Sequence, residues 1–264
     1  MTVTSHFELT KWYIDCVDAD GRAAIAYWAS IALRGLTFTW HSVATYEPGA
    51  SPSERNSVRT TPAPDDQAGC IAWNAPAIGC VVRCEPTVRP AHIRLLDDQT
   101  GTVEWHCDAP AARCSIEVRG HPEFLGTGYA EHLAMTVPPW RLPIDELRWG
   151  RWISTDAGRS VVWIDWRGDS PATWVVVDGT IVPGSAVRDD SVTTPGGSLV
   201  LGEGRTLHQR SVDNIARRIP GLARLLPKSV LALAEHKRCS MATWLARDAA
   251  PVTGRAIHEV VLFR

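Results

Sequence analysis

The sequence lacks most of the short motifs that announce a chemistry. It has no G-x-S-x-G turn, no H-E-x-x-H pair and no P-loop, which removes the common serine-hydrolase, zinc-peptidase and nucleotide-binding signatures. Gly202-Glu203-Gly204 reads as a tight turn. No D-D-x-x-D cluster is present to hold magnesium against a diphosphate, and the pairs Asp65-Asp66, Asp97-Asp98 and Asp189-Asp190 sit in turn-like contexts. The net charge is −2, with basic and acidic residues nearly balanced, so a nucleic-acid partner is not expected. The longest apolar stretch, residues 23–33, is too short to span a bilayer and is flanked by Arg22 and Arg34. The opening residues have no basic segment followed by an apolar one, so no secretory leader is expected and the chain is placed in the cytoplasm. The seven cysteines are odd in number and follow no framework spacing, which predicts reduced thiols. Cys80 with Cys84, and the group His106, Cys107, Cys114 and His121, lack the paired spacing of a structural zinc site. A metal-free, cofactor-free chain is the expectation.

What the sequence does have is tryptophan: twelve, against four phenylalanines and four tyrosines, in 264 residues. Two readings stay open, thick apolar walls or an aromatic-lined cavity. The chain is long enough to bury a core without covalent staples. Its rhythm is that of short strands. Residues 8–17 alternate, with Trp12, Ile14 and Cys16 on one face and Tyr13, Asp15 and Val17 on the other. Residues 22–33 are apolar on both faces, as in a strand buried on two sides. Residues 47–69 are rich in Pro, Ser and charge and predict a long loop. Further strand-like runs follow at 70–75, 80–86, 92–98, 102–109 and 114–120. The proline-rich stretch 137–143 marks a boundary, giving domains 1–140 and 141–264. In the second half, Asp178-Gly179 predicts a two-residue hairpin. Residues 211–235 predict a helical insertion, with Ser211 and Asp213 as N-cap candidates and Pro220 and Pro227 as breaks. The fold class is all-β, with two halves of similar size that suit two barrels.

One stretch does not read as wall. In Gly-Thr-Gly-Tyr-Ala-Glu-His, residues 126–132, a Gly-x-Gly bend leads into Tyr129 and Glu131, which share a strand face with Leu133. A carboxyl group in an apolar aromatic pocket is harder to ionise. Such a group serves as a general acid, and flanking aromatic faces stabilise cationic charge. The alternative is a Glu131 that meets solvent or an arginine across the sheet.

The same residues, with Leu-Pro-Ile-Asp-Glu-Leu-Arg-Trp-Gly-Arg-Trp at 142–152, resemble the carotenoid 1,2-hydratase group of the AttH-like, lipocalin-like superfamily. That superfamily also holds tocopherol-cyclase relatives and fungal Diels–Alderases. Residues 11–31 are similar to its first hairpin and residues 254–263 to its last strand. The resemblance implies two consecutive lipocalin-like β-barrels, with a hydrophobic pocket at or near their junction. It also implies that Glu131, where the hydratases carry an aspartate, is the proton donor, with Tyr129 beside it. Trp105 matches the tryptophan of the hydratases' His-x-Trp pair, but Val103 stands in place of the histidine, and His106 points to the opposite face.

The expected activity is that of a cofactor-independent cyclase or hydratase on a hydrophobic unsaturated small molecule of terpenoid or polyketide origin. The catalytic candidates are Glu131 and Tyr129. Trp105, Trp149, Trp12, Asp15 and His132 are the candidates for binding substrate. A pericyclase and a non-catalytic lipid carrier are the competing readings. Arg217, Arg218, Arg224 and Lys228 give the helical insertion a basic face suited to solvent or to peripheral membrane contact.

Overall fold

The computed structural model describes residues 7–219 and 221–263. The first six residues and Pro220, on which the leader and helix-break expectations rest, lie outside the described residues. Contacts divide the chain into two compact units, Met1–Leu142 and Pro143–Arg264. The fold is all-β and antiparallel, one curled sheet to each unit.

The first unit contains β1 (Phe7–Asp18), β2 (Ala23–Leu33), β3 (Leu36–Tyr46), β4 (Ser53–Ser57), β5 (Asp65–Asp66), β6 (Ile71–Ala75), β7 (Cys80–Pro86), β8 (Ala91–Asp98), β9 (Gly101–Val118) and β10 (Phe124–Met135). Their order across the sheet is β4-β3-β2-β1-β10-β9-β7-β6-β5, with β8 also paired to β9. Trp73 of β6 meets His41 of β3 edge to face at 5.9 Å, although these strands lie near opposite ends of the order. The sheet is therefore curled. Its concave face is packed by Ile14, Ala26, Val43, Val82, Ile116 and neighbouring residues of one apolar cluster.

The second unit contains β11 (Glu146–Ser154), β12 (Ser160–Arg167), β13 (Ala172–Val177), β14 (Thr180–Ile181), β15 (Ala186–Val187), β16 (Ser191–Thr194), β17 (Gly197–Ser211), β18 (Ala234–Ala246) and β19 (Val252–Leu262). The order is β14-β13-β12-β11-β19-β18-β17-β16-β15. Val175 of β13 and Val192 of β16 share one cluster with Trp152, Trp163 and Trp244, so this sheet is curled too. The Asp178-Gly179 hairpin is present, with both residues at positive φ (49° and 72°), as a type I′ turn needs. Trp73, Trp152, Trp163 and Trp244 are core, as the apolar-wall reading expects.

Several expectations are corrected. Residues 47–69 are not all loop: Ser53–Ser57 add an edge strand to β3, half exposed and therefore written in polar residues. The runs at 102–109 and 114–120 join in a single 18-residue strand, Gly101–Val118, that passes through Pro110 and ends before Arg119. The proline is tolerated because it lies in a bulge, where ladder pairing is interrupted. Gly126 and Gly128 form no bend. They lie inside β10, where a Cβ on Gly128 would collide with the Cys114 sulfur and the Asp15 carbonyl oxygen. The helical insertion is present as the short pieces expected, α1 (Val212–Ala216), α2 (Leu222–Leu225) and α3 (Lys228–Leu231), with Ser211 and Glu235 in the flanking strands. Ser211 holds the N-cap position of α1 but its side chain makes no capping bond. The thiol expectation fails for Cys84 and Cys114, which face each other in register and form a disulfide; the other five cysteines remain thiols. No helix among the described residues is long and apolar enough to cross a membrane.

One titration follows from the second sheet. Burial, then the charges of Arg238, His236 and Lys237, lower the pKa of His258 to about 4. An unfolded histidine titrates near ~6.5, so the unfolded chain takes up the proton first as pH falls. The contribution of neutral His258 to stability is complete above ~6.5 and is lost as pH drops toward about 4. Thermal melts of wild type and His258→Gln between pH 7.5 and 4 should diverge: wild type loses Tm more steeply through this window.

Candidate active site around Glu131

Two strands write the same short pattern. β1 carries Tyr13-Ile14-Asp15 and β10 carries Tyr129-Ala130-Glu131. In each, a tyrosine and an acid two residues apart share a face. The strands run antiparallel with Tyr13 opposite Glu131 and Asp15 opposite Tyr129. Four polar side chains thus form a square on the convex face of the sheet, away from the apolar cluster. All four are buried, Asp15 and Tyr129 at 0% exposure and Glu131 at 9%.

The hydrogen bonds run along each strand. Tyr13 Oη donates to Asp15 Oδ2 at 2.9 Å, and Tyr129 Oη donates to Glu131 Oε2 at 2.6 Å. Trp105 Nε1, from β9, donates to the same Oε2 at 2.5 Å. Burial pushes the Tyr129 hydroxyl well above its usual pKa, so it stays a donor. Burial likewise keeps Cys107 a thiol, which removes it as a nucleophile. The Tyr13 and Tyr129 rings lie 6.1 Å apart, and Tyr27 meets Tyr13 edge on at 5.2 Å.

Two bulges in β9 build this arrangement. Between the pairs Gly128–Ala112 and Ala130–Ala109, Tyr129 faces two residues of β9; between Ala130–Ala109 and His132–His106, Glu131 does the same. Bulges re-aim side chains and cluster beside active sites. Here they place Trp105 and Cys107 next to Glu131. The signal that sequence reading passed over was Pro110 inside an apolar run.

The structure brings together Glu131, Tyr129, Trp105, Asp15 and Tyr13, and adds Cys107, which sequence reasoning did not select. It does not bring Trp12 or His132 to them. Both lie on the concave face, their rings stacked at 4.7 Å. Trp12 and Asp15 therefore do not line one pocket, because an even and an odd residue of one strand face opposite ways. Trp149 belongs to the second unit. It sits opposite Glu259, with Lys237 Nζ 4.9 Å above its ring and Lys237 ion-paired to Glu259. Glu259 there pairs across strands with Lys237, while Arg151, fully buried, donates to the Arg255 carbonyl at 2.8 Å.

On the concave face an aromatic row crosses six strands in register: His92, His106, His132, Trp12, Trp28 and His41. His92 stacks on His106 at 3.9 Å and His106 on His132 at 4.1 Å. His132 Nδ1 lies 2.8 Å from Asp108 Oδ2. A separate open groove of about 530 Å³, lined by Asn74, Cys80, Glu117, Arg119 and His121 among others, includes no residue of the Glu131 cluster.

No protein-family model and no curated protein matches the sequence. Solved structures do. CghA in complex with Sch210972 aligns over 97% of this chain and 89% of its own, with a TM-score of 0.58 at 9% identity. Kievitone hydratase from Nectria haematococca aligns over 98% and 89%, with a TM-score of 0.54 at 9% identity. A protein described as AttH from Nitrosomonas europaea aligns over 97% and 92%, with a TM-score of 0.58 at 11% identity. The chain therefore has the two-unit, lipocalin-like all-β fold of these three proteins.

Proposed function

We propose that this protein is an enzyme that protonates a carbon–carbon double bond of a hydrophobic small molecule, with Glu131 as the acid, and that it needs no cofactor to do so. The observation that carries this reading is the pair of donors on one oxygen, Tyr129 Oη and Trp105 Nε1 on Glu131 Oε2. With Oε2 accepting both, the transferable proton belongs on Oε1. When it leaves for an alkene carbon, the negative charge that forms is already met by two fixed donors. Preorganised donors at a developing charge are the most effective electrostatic device that enzymes use. The carbocation formed is stabilised by the neighbouring tyrosine faces and by Asp15, which Tyr13 holds. Capture by water gives a hydration product and returns a proton. Capture by a second double bond or an internal hydroxyl gives a ring. The reading is supported by the shared fold of a protein named a hydratase and of one crystallised with the small molecule Sch210972.

The test is turnover on a panel of prenylated phenols and linear polyenes, analysed by mass for addition of water or isomerisation. Products that form with wild type and not with heat-denatured protein support an enzyme. Saturable binding without any product over the whole panel favours the carrier reading. Tyr129→Phe should bind substrate with unchanged affinity and lower kcat roughly 10²-fold, the usual effect of deleting one such donor. An unchanged kcat would mean that the hydroxyl only packs.

A further inference from the structure

We propose that His92, Glu104 and His106, on the concave face of the first sheet, form a binding site for a first-row divalent cation of the zinc type. One ligand atom from each lies within 4.8 Å of the other two. Glu104 Oε2 is 4.0 Å from His92 Nε2 and 3.8 Å from His106 Nε2. Zinc held at ~2.0–2.2 Å by nitrogen and oxygen in a tetrahedron needs donors roughly 3.4 Å apart. The His92 and His106 rings stack at 3.9 Å, so binding the ion requires both rings to turn until their Nε2 atoms converge beside Glu104 Oε2.

Three features make this more than a chance grouping. Glu104 and His106 are two apart on β9 and share a face, while His92 stands directly opposite His106 on β8. The ligands thus sit on two paired strands of fixed register rather than on a loop. The carboxylate is also oriented. Arg94 donates to Glu104 Oε1 through Nε at 3.1 Å and Nη2 at 2.9 Å, which leaves Oε2 as the oxygen that faces both imidazoles. Groups that fix a ligand in this way are typical of metal sites. The local charge also favours a cation. Arg94 is shared with Asp97 at 2.8 Å, so Arg94, Asp97 and Glu104 together carry one net negative charge.

Two imidazoles and a carboxylate, with no thiolate, suit Zn²⁺, Co²⁺, Ni²⁺ or Cu²⁺ over Ca²⁺ or Mg²⁺. His92 is half exposed, so water completes the coordination and the ion exchanges with solvent. Bound there, it cross-links β8 to β9. Between its two β9 ligands stands Trp105, which points the other way and holds Glu131. The ion therefore acts on the strand that carries Trp105, and Glu131 is not among its ligands. The sequence expectation of a metal-free chain rested on spacing within single segments, and a ligand set drawn from two strands escapes that criterion.

Untagged protein is titrated with Co²⁺ and followed by its d–d absorption, then with Zn²⁺ as competitor, and Tm is measured with and without Zn²⁺. The expected result is one equivalent of Co²⁺ with an intensified visible band, displacement by Zn²⁺, and a Tm that rises with Zn²⁺ concentration by mass action. The double variant His92→Ala/Glu104→Gln should lose band and Tm shift together while keeping the metal-free Tm and fluorescence of wild type. No Co²⁺ band in wild type, or an equal band in the double variant, overturns the proposal. Neither readout depends on turnover, so the site stands or falls apart from the function proposed for Glu131.

Discussion

Glu131→Gln should lower kcat by 10²–10⁴-fold, the span usual for a lost general acid, with substrate affinity little changed. The amide has the shape of the acid, and its oxygen can still accept from Tyr129 Oη and Trp105 Nε1, which now converge on Glu131 Oε2. What it loses is the proton. The two donors also account for the size of the effect: they stabilise the carboxylate left after transfer, and in the amide no such charge develops. A pericyclase predicts a different result, because a site that works by shape and hydrogen bonding keeps most of its rate when the amide still donates. Steady-state kinetics and a fluorescence binding isotherm on the same preparations separate these cases. A loss of less than about tenfold, well below the general-acid span, would remove Glu131 from the chemistry.

Gly128→Ala should destabilise the first unit by about 3 kcal/mol, at the upper end of overpacking costs. The new methyl would sit 2.5 Å from the Asp15 carbonyl oxygen and collide with the sulfur of Cys114, which is fixed in a disulfide. Neither neighbour is the free end of a flexible side chain. Relief requires β1 and β10 to separate, and these are the strands that set Tyr13 opposite Glu131. A loss of that size corresponds to a Tm lower by roughly 6–12 °C in a protein of this size. Activity should fall with it even well below Tm, since the site is built from that strand contact. A melt within a degree of wild type would show that the strands do not approach so closely.

Much of the fold is legible in the sequence because antiparallel strands write their two faces in alternation. Residues 8–17 separate Trp12 from Asp15 by parity alone. The hairpin at Asp178-Gly179 was legible because a type I′ turn demands those residues. Less could be read where structure depends on register between distant segments. The disulfide of Cys84 with Cys114, the row from His92 to His41 and the edge strand Ser53–Ser57 each exist because one strand lies opposite another. Nothing in either strand alone specifies that. Glu131 and Tyr129 were found through their pattern on one strand. Tyr13-Ile14-Asp15 repeats that pattern on β1, but the meaning of the repeat lies in the pairing, which neither strand states alone. The bulges of β9 are written only in Pro110 and small residues, which carry little local signal of their own.

The central claim is that a proton moves from Glu131 to carbon. The measurement that meets it most directly is product formation in heavy water, with deuterium located in the product by NMR and compared between wild type and Glu131→Gln. The account predicts one deuterium on the carbon that gains hydrogen with wild type, and neither label nor product above background with the variant. Product that carries no deuterium on carbon, formed by Glu131→Gln at nearly the wild-type rate, would contradict it.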